Sequence, residues 1–234
     1  MQTTSALYNS ILSGENHWYE TRLVIDGVGT YGENQLFSIK TSLEMFHNTP
    51  TVGSAVAGEI DVKMVYPTGV TIPVMAKLMP QVRVCNATQQ SEWLDQGVYY
   101  IDTRERTVSE AGESVLLLHG YDAMLKAEQM FVSSNITGDS VDTAMVNEIA
   151  SIMGVSVDSR TYSMMTSAYT IPLPTGYSCR EVLGYIAAAY AGCFIMTEEG
   201  KLRLVVMYEL PPETNYLIDE HGDAITFGGD RILV

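Results

Sequence analysis

Residues 57 to 65 do most to limit what the chain can fold into. Ile60, Val62 and Met64 alternate there with Glu59, Asp61 and Lys63. That period of two places apolar side chains on one face of a strand and charged ones on the other, the pattern of a half-buried strand. Other short extended stretches accompany it. His17 to Asp26 runs into the glycine-rich turn Asp26-Gly27-Val28-Gly29, and a stretch holding Leu36, Ile39 and Leu43 is broken by Asn48-Thr49-Pro50. Val82 to Cys85, Gly97 to Asp102 and Ser114 to His119 continue the series. Short strands at this spacing, separated by turn residues, favour a barrel or a sandwich. Ahead of them, the first dozen residues predict a short helix with Leu7, Ile11 and Leu12 on one side.

After Gly120 the period changes. Val141, Met145, Ile149 and Ile152 follow helical spacing, with Asp139 or Ser140 as the expected cap and Gly154 as the stop. A second helix starts on the capping box Ser178-x-x-Glu181, carries Leu183, Ile186, Ala187 and Tyr190 as its buried stripe, and is expected to end at Gly192. Cys193 to Thr197 and Leu202 to Met207 flank Glu198-Glu199-Gly200-Lys201, the composition of a hairpin, and Pro211-Pro212 closes the unit. The fold class expected is α+β, mainly β. A β-barrel-like domain spans 1–125, and an α+β domain of two helices and a hairpin spans 126–213. Residues 214–234 are expected to begin a further extended segment that is cut short.

Charge narrows the function. The balance of 13 Lys and Arg against 28 Asp and Glu gives −15, opposite to what a protein gripping nucleic-acid phosphates or an anionic membrane surface needs. The longest weakly polar run, Val182 to Met196, is interrupted by Gly184 and Gly192 and is too short to span a bilayer. The start, MQTTSALYNSIL, has neither the basic nor the apolar region of a signal peptide. Cys85, Cys179 and Cys193 are odd in number and widely spaced, which predicts reduced thiols in a cytosolically made protein.

The motifs that suggest chemistry each have a plainer reading. Gly27-Val28-Gly29-Thr30-Tyr31-Gly32 spells GxGxxG, but a dinucleotide loop needs a helix after its third glycine, and Gln35 to Leu43 reads as a strand. Gly200-Lys201 lacks the rest of a phosphate-binding loop. His17, His47, His119 and His221 share no metal-ligand spacing. Asp219-Glu220-His221 reads as an exposed turn, His119 as a strand residue and Cys193 as a buried inert thiol. No nucleophile elbow is present, and no pair of carboxylates is placed by the sequence as a glycosidase dyad. Trp18 and Trp93 are too few to argue for a sugar-stacking platform. The expectation is a non-enzymatic protein without catalytic residues, metal ligands or cofactor.

Two segments carry a resemblance. One is Glu92-Trp93-Leu94-Asp95-Gln96-Gly97-Val98-Tyr99-Tyr100-Ile101-Asp102, continued by Leu116-Leu117-Leu118-His119-Gly120-Tyr121-Asp122-Ala123-Met124-Leu125-Lys126. The other is Tyr177-Ser178-Cys179-Arg180-Glu181-Val182-Leu183-Gly184-Tyr185-Ile186-Ala187, continued by Ala191-Gly192-Cys193-Phe194 to Gly200-Lys201-Leu202. With Thr49-Pro50-Thr51-Val52-Gly53 to Glu59-Ile60-Asp61-Val62, they make residues 20 to 210 similar to the tail hub proteins of phages and prophages of Gram-positive bacteria. These comprise the baseplate hub of contractile tails and the hub region of tail-tip proteins. The resemblance implies tube-like β domains, a homotrimer, and a place in the virion tail between the tube or distal tail protein and the spike or tip. DNA would pass through the channel without specific binding. A host-attachment carbohydrate-binding module and a tail-associated cell-wall hydrolase are the alternatives.

Overall fold

A computed structural model describes residues 4–44, 52–108, 112, 114–207, 226–227 and 230–231. Asn48-Thr49-Pro50, His47, Pro211-Pro212, Asp219-Glu220-His221 and most of segment 214–234 lie outside the described residues. The chain opens on α1 (Ala6–Leu12), capped where the Ser5 hydroxyl accepts the Tyr8 N–H at 3.0 Å. Of the three apolar residues expected on its inner side, only Ile11 is buried; Leu7 and Leu12 are exposed. Two turns of helix lying on a sheet bury one line of side chains and no more.

Nine strands follow: β1 (Trp18–Ile25), β2 (Gly29–Gly32), β3 (Leu36–Ser42), β4 (Ser54–Ala55), β5 (Glu59–Val65), β6 (Lys77–Cys85), β7 (Leu94–Asp95), β8 (Tyr99–Val108) and β9 (Ser114–Asp122). All but β4 join one sheet in the order β2-β1-β6-β8-β9-β5-β3, with β7 added on β6. β2 stops at Gly32 and β3 starts at Leu36, so the two ends of that path meet at one corner and the sheet is rolled. Its inward side chains bury a common core: Leu23 and Ile25 from β1, Tyr31 from β2, Leu78 from β6, Leu118 from β9. β5 alternates as its sequence dictates, with Ile60, Val62 and Met64 buried between exposed Glu59, Asp61 and Lys63.

The second half begins on a 3-10 helix (Ala123–Glu128) and continues through β10 (Ser140–Val141), α2 (Asp142–Met153), α3 (Ser159–Met164), β11 (Thr170–Ile171), α4 (Cys179–Ala189), β12 (Gly192–Met196) and β13 (Leu202–Val206). α3 is a third helix where two were expected. Its six residues carry too short an apolar pattern to register. The cap of α2 is Val141, with no side-chain hydrogen bond. Neither Asp139 nor Ser140 serves, because Ser140 and Val141 are paired with Ile171 and Thr170. Gly154 ends that helix in the left-handed conformation, at φ 70°. α4 ends at Ala189 and turns through Ala191 at φ 47°, so Gly192 opens β12 rather than stopping the helix. A Cβ at Gly192 would lie 2.5 Å from the Val205 carbonyl oxygen across the hairpin.

The capping box of α4 is complete. The Glu181 N–H donates to Ser178 Oγ at 3.2 Å and the Ser178 N–H to Glu181 Oε2 at 2.7 Å. Ser178→Ala is expected to cost about 0.5–2 kcal/mol, measured as a lower urea midpoint. An unchanged midpoint would mean that the box does not hold the helix start.

A second buried cluster joins α2, α4, β12 and β13 with Met124 and Ala127 of the 3-10 helix. It also takes Ala55 of β4 and Tyr100 of β8. β8 is therefore covered on both faces at its start, Tyr99 and Ile101 pointing into the rolled sheet and Tyr100 into the second cluster. β4 comes from the first half of the chain yet pairs in parallel with β12, making the sheet β13-β12-β4.

Candidate functional site

The residues singled out for chemistry are scattered. His17 Nδ1 lies 2.9 Å from the Gly14 carbonyl oxygen, and its ring meets Tyr19 edge-on. His119 Nδ1 lies 2.8 Å from Asp61 Oδ1 on the outer face of the rolled sheet. His47 and His221 fall outside the described residues. Gly27 to Gly32 forms the turn into β2 and then β2 itself, with no helix following. Lys201 pairs with Glu199 at 2.5 Å in the hairpin turn. All three cysteines are buried, and Cys193 Sγ sits 3.1 Å from Ser54 Oγ. Among the described residues, no three His, Cys, Asp or Glu side chains gather as a metal would require. No helix among them is long and apolar enough to cross a membrane.

The structure converges instead on the joint between the two cores. Asp122, at the end of β9, is 4% exposed. Its Oδ2 accepts the Gly58 N–H at 2.6 Å and its Oδ1 the Met124 N–H at 2.9 Å. Burial pushes its carboxyl up to about 6, against the pull of those two N–H donors and of Arg180. Arg180, in the first turn of α4, reaches the same segment from the other side. Its Nε donates to the Ala55 carbonyl oxygen at 2.8 Å, and its Nη1 pairs with Glu128. Residues 55 to 58 are thus clamped between a carboxylate and a guanidinium.

A cleft of about 270 Å³ opens beside this clamp, walled by Tyr99, Asp122, Thr197, Glu198 and Arg203 among others. Burial first, and the Asp122 charge second, push the Tyr99 hydroxyl up to about 12. Both Asp122 oxygens accept N–H donors, and the Tyr99 hydroxyl stays protonated at neutral pH. Sequence reasoning missed both arms of the clamp. Asp122 was visible as the polar residue where strand becomes helix, whereas nothing local distinguishes Arg180 from any solvated arginine.

Several large apolar side chains are exposed on the second half. Tyr177 and Tyr185 meet edge-on, with ring centres 5.6 Å apart. Met130 is in the segment bridged to Ser178. Tyr185 is 62% exposed, Met130 53% and nearby Val132 77%. Aromatic and methionine side chains are enriched where protein surfaces meet.

No protein-family model matches the chain, and no curated protein matches it. Solved structures do. The 43 kDa tail protein of prophage MuSo2 from Shewanella oneidensis superimposes with a TM-score of 0.51 and 14% identity, over 80% of this chain and 54% of that one. The tail protein from Neisseria meningitidis MC58 does so with a TM-score of 0.51 and 11% identity, over 88% of this chain and 53% of that one. The chain therefore spans about half the length of each, and at these identities the likeness is one of fold.

Proposed function

We propose that this chain is a structural protein of a phage or prophage tail, acting as a hub between the tail tube and the tip or spike. The observation that carries the reading is the fold held in common with two tail proteins over 80% and 88% of the chain. The order of motifs from Trp93 to Leu202 supports the finer assignment to the hub. The role is one of assembly: what the joint at Asp122 and Arg180 does is fix two packed units against each other.

In this reading three copies associate around a channel. The net charge of −15 per chain makes copies repel, so contact relies on apolar surface such as the Tyr185 patch and tightens as salt screens the charge. An acidic wall lets DNA pass without the counterion release that grips duplexes. Light scattering is expected to show a concentration-dependent trimer, favoured by raising salt from low to physiological levels, with Tyr185→Glu shifting it toward monomer. A monomer at every concentration and salt level, or tight salt-sensitive binding of duplex DNA, would overturn the hub reading.

A further inference from the structure

Nothing in the sequence sets Arg203 apart from any other strand arginine. In β13, Leu202 and Leu204 are buried in the second cluster, so Arg203 between them points to the opposite face. There it lines the cleft of about 270 Å³ beside the Asp122 joint. Its Nε is closed off from solvent without a hydrogen-bond partner, and no other buried side-chain nitrogen or oxygen among the described residues is left so. Taking an N–H donor out of water without a partner costs free energy, and native proteins leave few such groups. Asp158 is held well below the usual carboxylate range first by its bonds to Arg160 and also by the Arg203 charge. Each of its oxygens is already bonded to Arg160, at 2.8 and 2.6 Å. Arg203 thus has a counter-charge nearby and no oxygen on its Nε.

The walls of the cleft come from both halves of the chain, and ligands favour such meeting places of packed units. Thr41, Thr197 and Gln96 supply hydroxyl and amide groups, and Ile195 an apolar wall. The volume falls just short of the roughly 300–1,000 Å³ of clefts for drug-sized ligands, which suits a small group. A guanidinium grips a carboxylate or a phosphate through two parallel N–H bonds, and Nε belongs to one of the edges that does so. Arg203 is only half-buried, so its end is free to turn that edge into the cleft as a ligand enters. Asp122 and the exposed Glu198 also line the cleft. Each repels a second negative charge, which favours a singly charged carboxylate over a phosphate that carries more.

We propose that the Arg203 guanidinium binds a carboxylate in this cleft. The carboxylate belongs to a small organic acid or to an acidic side chain of a second copy, which offers 28 Asp and Glu. The site does not depend on the hub reading.

In the intact, isotope-labelled chain the Nε–Hε NMR resonance of Arg203, identified by its loss in Arg203→Lys, reads the site. Sodium acetate is expected to shift it saturably, with a Kd on the order of 1–10 mM, where sodium chloride at equal ionic strength does not. The backbone amides of Gly97 and Thr197, at the cleft wall, should follow the same curve. By those amides Arg203→Lys, which keeps the charge and loses the fork, is expected to bind acetate roughly ten-fold more weakly. Glu198→Gln removes a like charge and is expected to tighten binding about two-fold or more. An arginine with a purely structural role would show neither change. Without acetate, a resonance that moves with protein concentration assigns the carboxylate to a second copy, and one that stays fixed assigns it to a small acid. An acetate response no larger than that to chloride at every protein concentration would overturn the proposal. So would acetate binding unchanged in Arg203→Lys, or tighter binding of inorganic phosphate.

Discussion

Gly53→Ala is expected to destabilise the protein by about 2–5 kcal/mol, the sum of a left-handed residue and an overpacked contact. Gly53 precedes β4 at φ +81°, and a Cβ there would stand 2.7 Å from the Ala188 Cβ and 3.2 Å from its Cα. Gly184, one turn earlier on α4, is the matching gap: its own Cβ would meet the Gly53 carbonyl oxygen at 3.0 Å. Backbone thus lies directly on helix, and neither side has a flexible end that could give way. Gly176→Ala separates the two costs, since Gly176 also has φ +81° but nothing within 4 Å of its Cβ position. That control is expected to lose only about 1–2 kcal/mol. Equal urea midpoints for the two variants would mean that β4 does not rest on α4.

Asp122→Asn is expected to change how stability depends on pH. An aspartate in the unfolded chain titrates near 3.8, while burial pushes Asp122 up to about 6 in the folded protein. Between those values the folded state binds the proton more tightly. The stabilisation is therefore fully present below about pH 4 and is lost as pH rises to about 6, by ~3 kcal/mol at roughly 1.4 kcal/mol per unit. Asp158 runs the other way: its hydrogen bonds to Arg160 hold it well below the usual carboxylate range, and its contribution is lost as pH falls. Glu20 behaves likewise through Arg83. Both are present in wild type and variant and so cancel in the comparison. Urea midpoints at pH 4 and pH 7 should show the advantage of wild type over Asp122→Asn shrinking by about that amount. A constant advantage would place Asp122 in a wetter site than its burial indicates.

Local chemistry made part of this fold readable. The Ser178–Glu181 box and the stripe Leu183, Ile186, Ala187 and Tyr190 lie within thirteen residues of one another, and the helix formed where they placed it. β5 was legible because one sheet face is packed and the other is wet. Residues answering to partners far along the chain were not legible. Ser140 looks like a cap until Ile171 pairs with it, and Gly192 looks like a helix stop until Val206 lies opposite it. The clamp at the joint failed to show for the same reason: Arg180 and Ala55 are 125 positions apart.

The parallel pairing of β4 with β12 also bears on the order in which the chain can fold. Ser54 and Cys193 are separated by 139 positions, so this sheet is completed by one of the longest loop closures in the molecule. The entropy of closing that loop must be met before its contacts contribute anything, which slows formation of such pairs. On the ribosome the N-terminal strands emerge first, and β4 must wait, unpaired, until α4 and β12 have been made. Until then its backbone amides are open to other chains. In a crowded cell, with many copies translated at once, that interval is when one molecule could capture the strand of another.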